Sequence, residues 1–302
     1  MKKLYAALFL LSIIWSTSFL FIKLLLNDIS PEGIVFYRCL FGSLTLLIIM
    51  LVKKVKIEYK NLPKFSLIIA ISLFNHAIPW LFLSLSETHL QSNQAAMLNA
   101  FTPIATLVIG YFFFSQKILK NQWIGLIVGI IGVGIMMNIN LSTILSNNIF
   151  YSLLMIFVTF CYGLGSHLTK KYLQNIDVLI VSFLTLGISA VFGFFYMIIA
   201  GKGTLKPFIE LHVFGGVIGL GILCSGLAYL LFYYMVKEGS AEFATMVTYI
   251  VPVFASIWGF LFLKEPLSLK MIAGLLIVLI GVYISNSKKK IKIKSTKANA
   301  AS

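Results

Sequence analysis

Apolar runs about twenty residues long, separated by short polar breaks, occupy almost the whole chain. Within a run there is neither the alternation of a strand nor a wide polar face, so each run predicts a helix that is apolar all round. A membrane-crossing helix needs about 20 mostly apolar residues. Ten stretches qualify: 4–26, 33–52, 65–86, 91–114, 120–138, 148–171, 177–200, 211–236, 240–263 and 268–286. The narrowest break, SETHLQSN, separates the third from the fourth; one helix over 65–114 would be far too long to cross once, so a tight turn is expected. An outer-membrane barrel would show alternating segments about half as long. The expected class is an all-α polytopic membrane protein.

Composition agrees: 60% of residues are hydrophobic, 11% are charged, and mean hydropathy is +0.99. A soluble chain of this length could not hide that much apolar surface. The net charge of +15 suggests nucleic acid only until the lysines are located, because they lie in short loops and at the C-terminal end. With the N-terminus inside, 18 basic residues face the cytoplasm and four (Lys202, Lys206, Lys264, Lys270) face outward. That asymmetry predicts an even number of spans in the cell membrane and two cytoplasmic termini. The tail 287–302 reads as a basic cytoplasmic anchor beside anionic lipid. The run from Leu4 to Leu26 is too long for a signal peptide and lacks a small-x-small cleavage site, so it is expected to remain as the first span. Cys39, Cys161 and Cys224 lie inside apolar runs without metal-type spacing and read as core residues.

The chain also repeats itself. Residues 95–134 moved forward by 149 positions coincide at ten places, among them Pro103/Pro252, Gly110/Gly259, Gly125/Gly274 and Gly132/Gly281. Apolar coincidences are expected in such a composition; a proline and three glycines in register are not. A weaker echo links the first and sixth spans. The repeat divides the chain into two halves, 4–138 and 148–286, joined by the charge-free INLSTILSN. Five spans per half is odd, so the second half should lie upside down relative to the first, a recurring plan of secondary transporters. SQKILKNQ would then face the cytoplasm, and its counterpart KEPLSLK the outside.

The segments LFLLSIIWSTSFLFIKLL, FYRCLFGSLTLL, FFFSQKILKNQWIGLIVGIIGVG and PVFASIWGFLFLKEPLSLKMIAGLLIVLIGV resemble the drug/metabolite transporter superfamily, EamA type, with two EamA-like repeats. The resemblance implies a transporter of small metabolites. Glu265 matches the glutamate this family places after the ninth span, and Gln116 departs from that pattern in the first half.

A transporter needs polar groups at mid-membrane to replace a solute's hydration. Arg38, the single arginine among 24 basic residues, suits a carboxylate or phosphate; the competing reading is an ion pair with Asp28, Glu32 or Glu87. Asn75, His76 and Trp80 lie near mid-depth of the third span, His76 reading either as a proton site or as a core histidine. Asn99 and Thr248 are the polar points of repeat-related small-residue stripes that otherwise suggest close packing. Trp15 and Tyr249 supply aromatic surface, Tyr229 and Tyr233 further aromatic candidates, and Lys23 reads as a side chain snorkelling to the surface. Glu265 reads as a turn residue. The nine acidic residues are expected in loops or near helix ends.

These residues fit a secondary transporter of a small polar metabolite; the resemblance implies an exporter or exchanger, with an amino acid as the favoured cargo. The expected partners are that small molecule and the lipid bilayer, with no nucleic acid. A flippase for a lipid-linked substrate is the alternative. No GxxxxGK[ST] pattern supplies an ATP site, and no paired acids, HExxH or Ser/His/Asp set supports a lipid enzyme. No catalytic residue, cofactor or metal is expected.

Overall fold

A computed structural model describes residues 2–57, 62–137, 147–173, 175–238 and 247–286. Among these residues every regular element is helical. Seven helices are long and apolar enough to cross a membrane. They are α1 (Lys2–Leu25), α2 (Pro31–Val52), α3 (Phe65–Glu87), α4 (Ser92–Phe114), α6 (Asn147–Tyr172), α7 (Val178–Ile199) and α8, which runs from Leu211 to Glu238. Three shorter apolar helices complete the set: α5 (Lys120–Met136), α9 (Val247–Leu263) and α10 (Leu269–Asn286). The expected spans 120–138, 240–263 and 268–286 correspond to these three; positions 138 and 240–246 lie outside the described residues, as do most of the inter-half linker and the basic tail.

Local sequence sets the starts and breaks. Ser30 accepts the Gly33 amide at 3.2 Å and Pro31 occupies the first turn of α2, where its missing N–H costs nothing. Asp177 caps α7 by accepting from Leu179 N at 2.8 Å. Helix α4 is interrupted at Ala100–Phe101, between Ser92–Asn99 and Thr102–Phe114. Pro103 explains the break: it has no N–H to give the Asn99 carbonyl, and the Thr102 hydroxyl supplies that donor at 2.6 Å. Two helices widen into π-turns, α3 over Leu73–Ala77 and α8 over Gly219–Leu227.

The two copies of the 95–134 repeat carry the same helix ending. After α4, Ser115 adopts a left-handed φ of 53°, and after α9, Lys264 adopts 55°. Gln116 N then reaches back to Gly110 O at 3.0 Å, and Glu265 N to Gly259 O at 3.1 Å, so each helix closes with the same bond to the carbonyl six residues before.

Packing is densest between α5 and α10 and between α2 and α7. A Cβ at Gly125 would stand 2.2 Å from Gly281 O, and one at Gly132 2.8 Å from Gly274 O. As the number rises along α5 it falls along α10, so the two helices are antiparallel. The same holds for α2 and α7, where Gly33 approaches Met197 and Gly193 approaches Phe36. Around these pairs, α1 packs on α9 and α8, and α6 packs on α4 and α3. The outward faces carry exposed large apolar side chains such as Ile199, Leu211, Leu269 and Tyr283, as expected of a surface that meets lipid tails.

Because the α5–α10 seam leaves no room for a side chain, Gly125→Val is expected to cost about 1–3 kcal/mol. Gly134, whose added Cβ meets nothing within 4 Å, provides the control as Gly134→Ala. Thermal unfolding in detergent checks this; equal melting of the two variants would contradict the seam.

Candidate functional site

The two π-turns bring a polar and aromatic cluster together in the protein interior. A π-turn inserts one extra residue into a helix and rotates the residues beyond it, and such turns gather at functional sites. In α3 the turn carries Asn75 and His76, with Trp80 one turn on; in α8 it carries Ser225, with Tyr229 one turn on.

Arg38 of α2 lies at the centre, 3% exposed. Its Cζ stands 3.5 Å from the centroid of the Trp80 ring. Its Nε donates to Ser225 Oγ at 3.2 Å, and an Nη to Ser18 Oγ at 3.5 Å. Among the described residues no carboxylate lies within ion-pair distance of it. The expected partners are elsewhere. Asp28 bonds Lys206 at 3.0 Å and His212 at 3.2 Å, which hold its carboxyl below the usual range, Lys206 foremost. Glu32 Oε2 and both oxygens of Glu87 have no hydrogen-bond partner.

The lone guanidinium is therefore a physical problem. Removing such a cation from water costs several kcal/mol even after relaxation. A desolvated cation–π contact returns about 2 kcal/mol, and hydrogen bonds from a charged group about 1.5–3 each at good geometry. These contacts offset much of the cost and supply no negative charge, which an anion would.

His76 completes the chemistry. It is fully buried, with ring centroids 4.8 Å from Trp80 and 4.7 Å from Tyr229. Its Nε2 lies 3.2 Å from Thr185 Oγ1, whose own hydroxyl donates to Val181 O at 2.8 Å. Thr185 therefore accepts from Nε2–H, which assigns the remaining lone pair to Nδ1. That Nδ1 is buried and has no partner. The cluster thus presents a cation seeking an anion and an acceptor seeking a donor. Aromatic faces surround them: Tyr229 is 6.1 Å from Trp80, and Trp15 is 5.7 Å from Tyr229 and 5.3 Å from Phe232. Two clefts of about 360 and 320 Å³ open on the apolar exterior, and neither is lined by Arg38, His76, Trp80 or Tyr229.

The structure thus joins Arg38, His76, Trp80 and Trp15, and separates the others from them. Asn75 turns to α6, donating to Thr169 Oγ1 at 2.9 Å. The Asn99 carbonyl and side chain accept the Thr102 hydroxyl at the α4 break. Thr248 and Tyr249 sit in the first turn of α9, and neither is among the groups that hold Arg38. Sequence reasoning passed over Ser18, Ser225 and Thr185. Only a repeat register between α2 and α7 and between the two π-turns would have singled out the last two.

If the guanidinium lacks a counter-charge, Arg38→Met will raise the melting temperature of the ligand-free protein, by the equivalent of about 1–4 kcal/mol. A fall of similar size would mean that Arg38 is a structural ion-pair member.

Comparison with known proteins accords with this architecture. An uncharacterized transporter of Archaeoglobus fulgidus is 27% identical over 280 residues, 91% of this chain and 95% of that protein. An uncharacterized transporter of Bacillus subtilis is 22% identical over 96% of this chain and all of its own length. One crystal structure, 14% identical, superposes with a TM-score of 0.68 over 95% of this chain and 98% of its own, a likeness of fold. The profile of the EamA-like transporter family matches twice, over residues 2–138 and 149–287. The chain belongs to the EamA-like transporter family and carries two EamA-like repeats.

Proposed function

We propose that this protein is a secondary transporter of a small metabolite bearing both a carboxylate and an amino group, of the amino-acid type. The observation that carries the reading is the buried Arg38 without a counter-ion beside His76 with a free acceptor. The carboxylate would take the guanidinium, and the ammonium would take His76 Nδ1 and the faces of Trp15, Trp80 and Tyr229. The chemistry asked of the protein is desolvation and release, with no covalent step.

We read the mechanism as alternating access between two inverted five-helix halves in the cell membrane, with both termini cytoplasmic. The register of the contacts supports this. Helices α2 and α7 begin and end 147 residues apart, and the 95–134 repeat is offset by 149. Under these offsets the bond of Arg38 to Ser225 has its counterpart in Thr185 and His76. The close approach of Gly42 to Gly221 has its counterpart in Ser189 and Ser72, and Trp80 pairs with Tyr229. An axis relating two halves in the membrane plane also requires self-related helices to run antiparallel, as α2–α7 and α5–α10 do. Exchange of the conformations of the halves would turn one open state into the other at similar energy.

In liposomes the purified protein is expected to move amino acids down their gradient without ATP. Arg38→Lys, which keeps the charge and loses the planar fork, should slow this about tenfold or more. Folded protein that moves none of a broad metabolite panel would refute the transporter reading, and unchanged transport by Arg38→Lys would remove Arg38 from the binding role.

A further inference from the structure

A second buried cluster lies where α3 turns into α4. Glu87, the last residue of α3, is fully buried, and neither carboxylate oxygen has a hydrogen-bond partner. The nearby cation is committed elsewhere: Lys23 Nζ donates to the main-chain carbonyls of Glu87 at 2.5 Å and Leu90 at 2.7 Å. The other acid at this end, Glu265 in the α9–α10 turn, is also buried but fully served. Its Oε1 accepts Ser92 N at 2.7 Å, and its Oε2 accepts Ser92 Oγ at 2.9 Å and Asn93 N at 3.0 Å, at the first turn of α4. The sequence expectation that the acids lie near helix ends holds for position and fails for environment, because three chain segments close over these two.

The charged groups that face Glu87 are Lys23 from α1, Glu265 from the α9–α10 turn and, more weakly, Arg38 from α2. Its own turn adds His89, which stacks on Tyr151 of α6 at 3.9 Å. Lys23 and Glu265 balance one another. A second ionised carboxylate would be a buried charge with no donor, beside a like charge. One proton removes both difficulties.

We propose that Glu87 is a proton-binding site that is occupied while this end of the molecule is closed and emptied when it opens. The step is a simple protonation: the carboxylate takes a proton from water at that face and becomes the neutral acid. Release needs a donor for the carboxylate, either entering water or the Lys23 ammonium. Water reaches the buried carboxylate only if the packing over it opens, and the Lys23 route breaks the bonds that hold α1 to the turn between α3 and α4. Opening and proton release are therefore the same event, which would link transport to a proton gradient. The coupling part rests on the alternating-access reading above; the protonation does not.

Infrared spectroscopy of the reconstituted protein tests it without any substrate. At neutral pH the wild type should show the C=O stretch of a protonated carboxyl. Glu87→Gln should lose that band, Glu87→Asp should shift it, and Glu265→Gln should keep it. Gln reproduces the neutral acid in shape, so this variant should fold; if it does not, the Asp variant decides by shift or no shift. Hydrogen exchange of the 87–93 amides, corrected for intrinsic rates, should rise with pH by up to about tenfold per unit, the slope of one proton. In Glu87→Gln it should be flat. No carboxyl band at neutral pH, or a band that survives Glu87→Gln, would overturn the proton site. A band without pH-dependent exchange would overturn the link to opening and leave the transporter reading standing.

Discussion

A buried guanidinium with no carboxylate beside it among the described residues organises the centre of this molecule. Arg38 is 3% exposed, rests on Trp80 at 3.5 Å and is hydrogen-bonded to the hydroxyls of Ser225 and Ser18. Those contacts hold it in place, and they supply no negative charge. The neighbouring histidine is left with an unused acceptor. Stability alone would favour replacing such a group with an apolar one. Its presence is understandable if the missing charge arrives with a ligand, so that the cost of burial is fully offset only in the loaded state.

The surroundings of Arg38 are built by helices meeting closely at repeat-related points. The glycine seam of α5 and α10 and the contacts of Gly33 and Gly193 along α2 and α7 bring backbones together. The π-turns of α3 and α8 then carry His76, Trp80, Ser225 and Tyr229 to one place. At the far end of α3, Glu87 and Glu265 show the opposite arrangement, one carboxylate with three donors and its neighbour with none. The first is a helix cap that fastens α4; the second has no donor to hold a negative charge.

Much of the fold was legible in the chain. The apolar runs marked the chain as all-helical with membrane-crossing segments, and Pro103/Pro252 with the paired glycines exposed the repeat, because those residues are constrained by backbone geometry. Arg38 stood out as the one arginine, and His76 and Trp80 as polar or large groups at mid-depth. Asn75 and Asn99 bond away from the Arg38 cluster, and for a physical reason this was not legible: a buried amide is as readily spent on a neighbouring helix or a proline-broken carbonyl as on a solute. Ser18, Ser225 and Thr185 were illegible because helical hydroxyls usually bond to their own preceding turn; only tertiary register turns them into partners. Glu87 looked like an interfacial residue, and its burial depends on Lys23 and Glu265, which come from distant parts of the chain. Lys23, expected to snorkel outward, is drawn to two carbonyls instead.

Whether a carboxylate ligand completes Arg38 is decided by ligand-induced thermal stabilisation of the purified protein, with free amino acids compared against their α-amides, which keep the amine and lose the carboxylate. A ligand that binds only the folded state raises the melting temperature according to its affinity. At least one free amino acid is expected to stabilise the wild type, its amide should not, and Arg38→Met should respond to neither. Equal stabilisation by acid and amide, or a response that survives in Arg38→Met, would contradict a guanidinium that waits for its counter-charge.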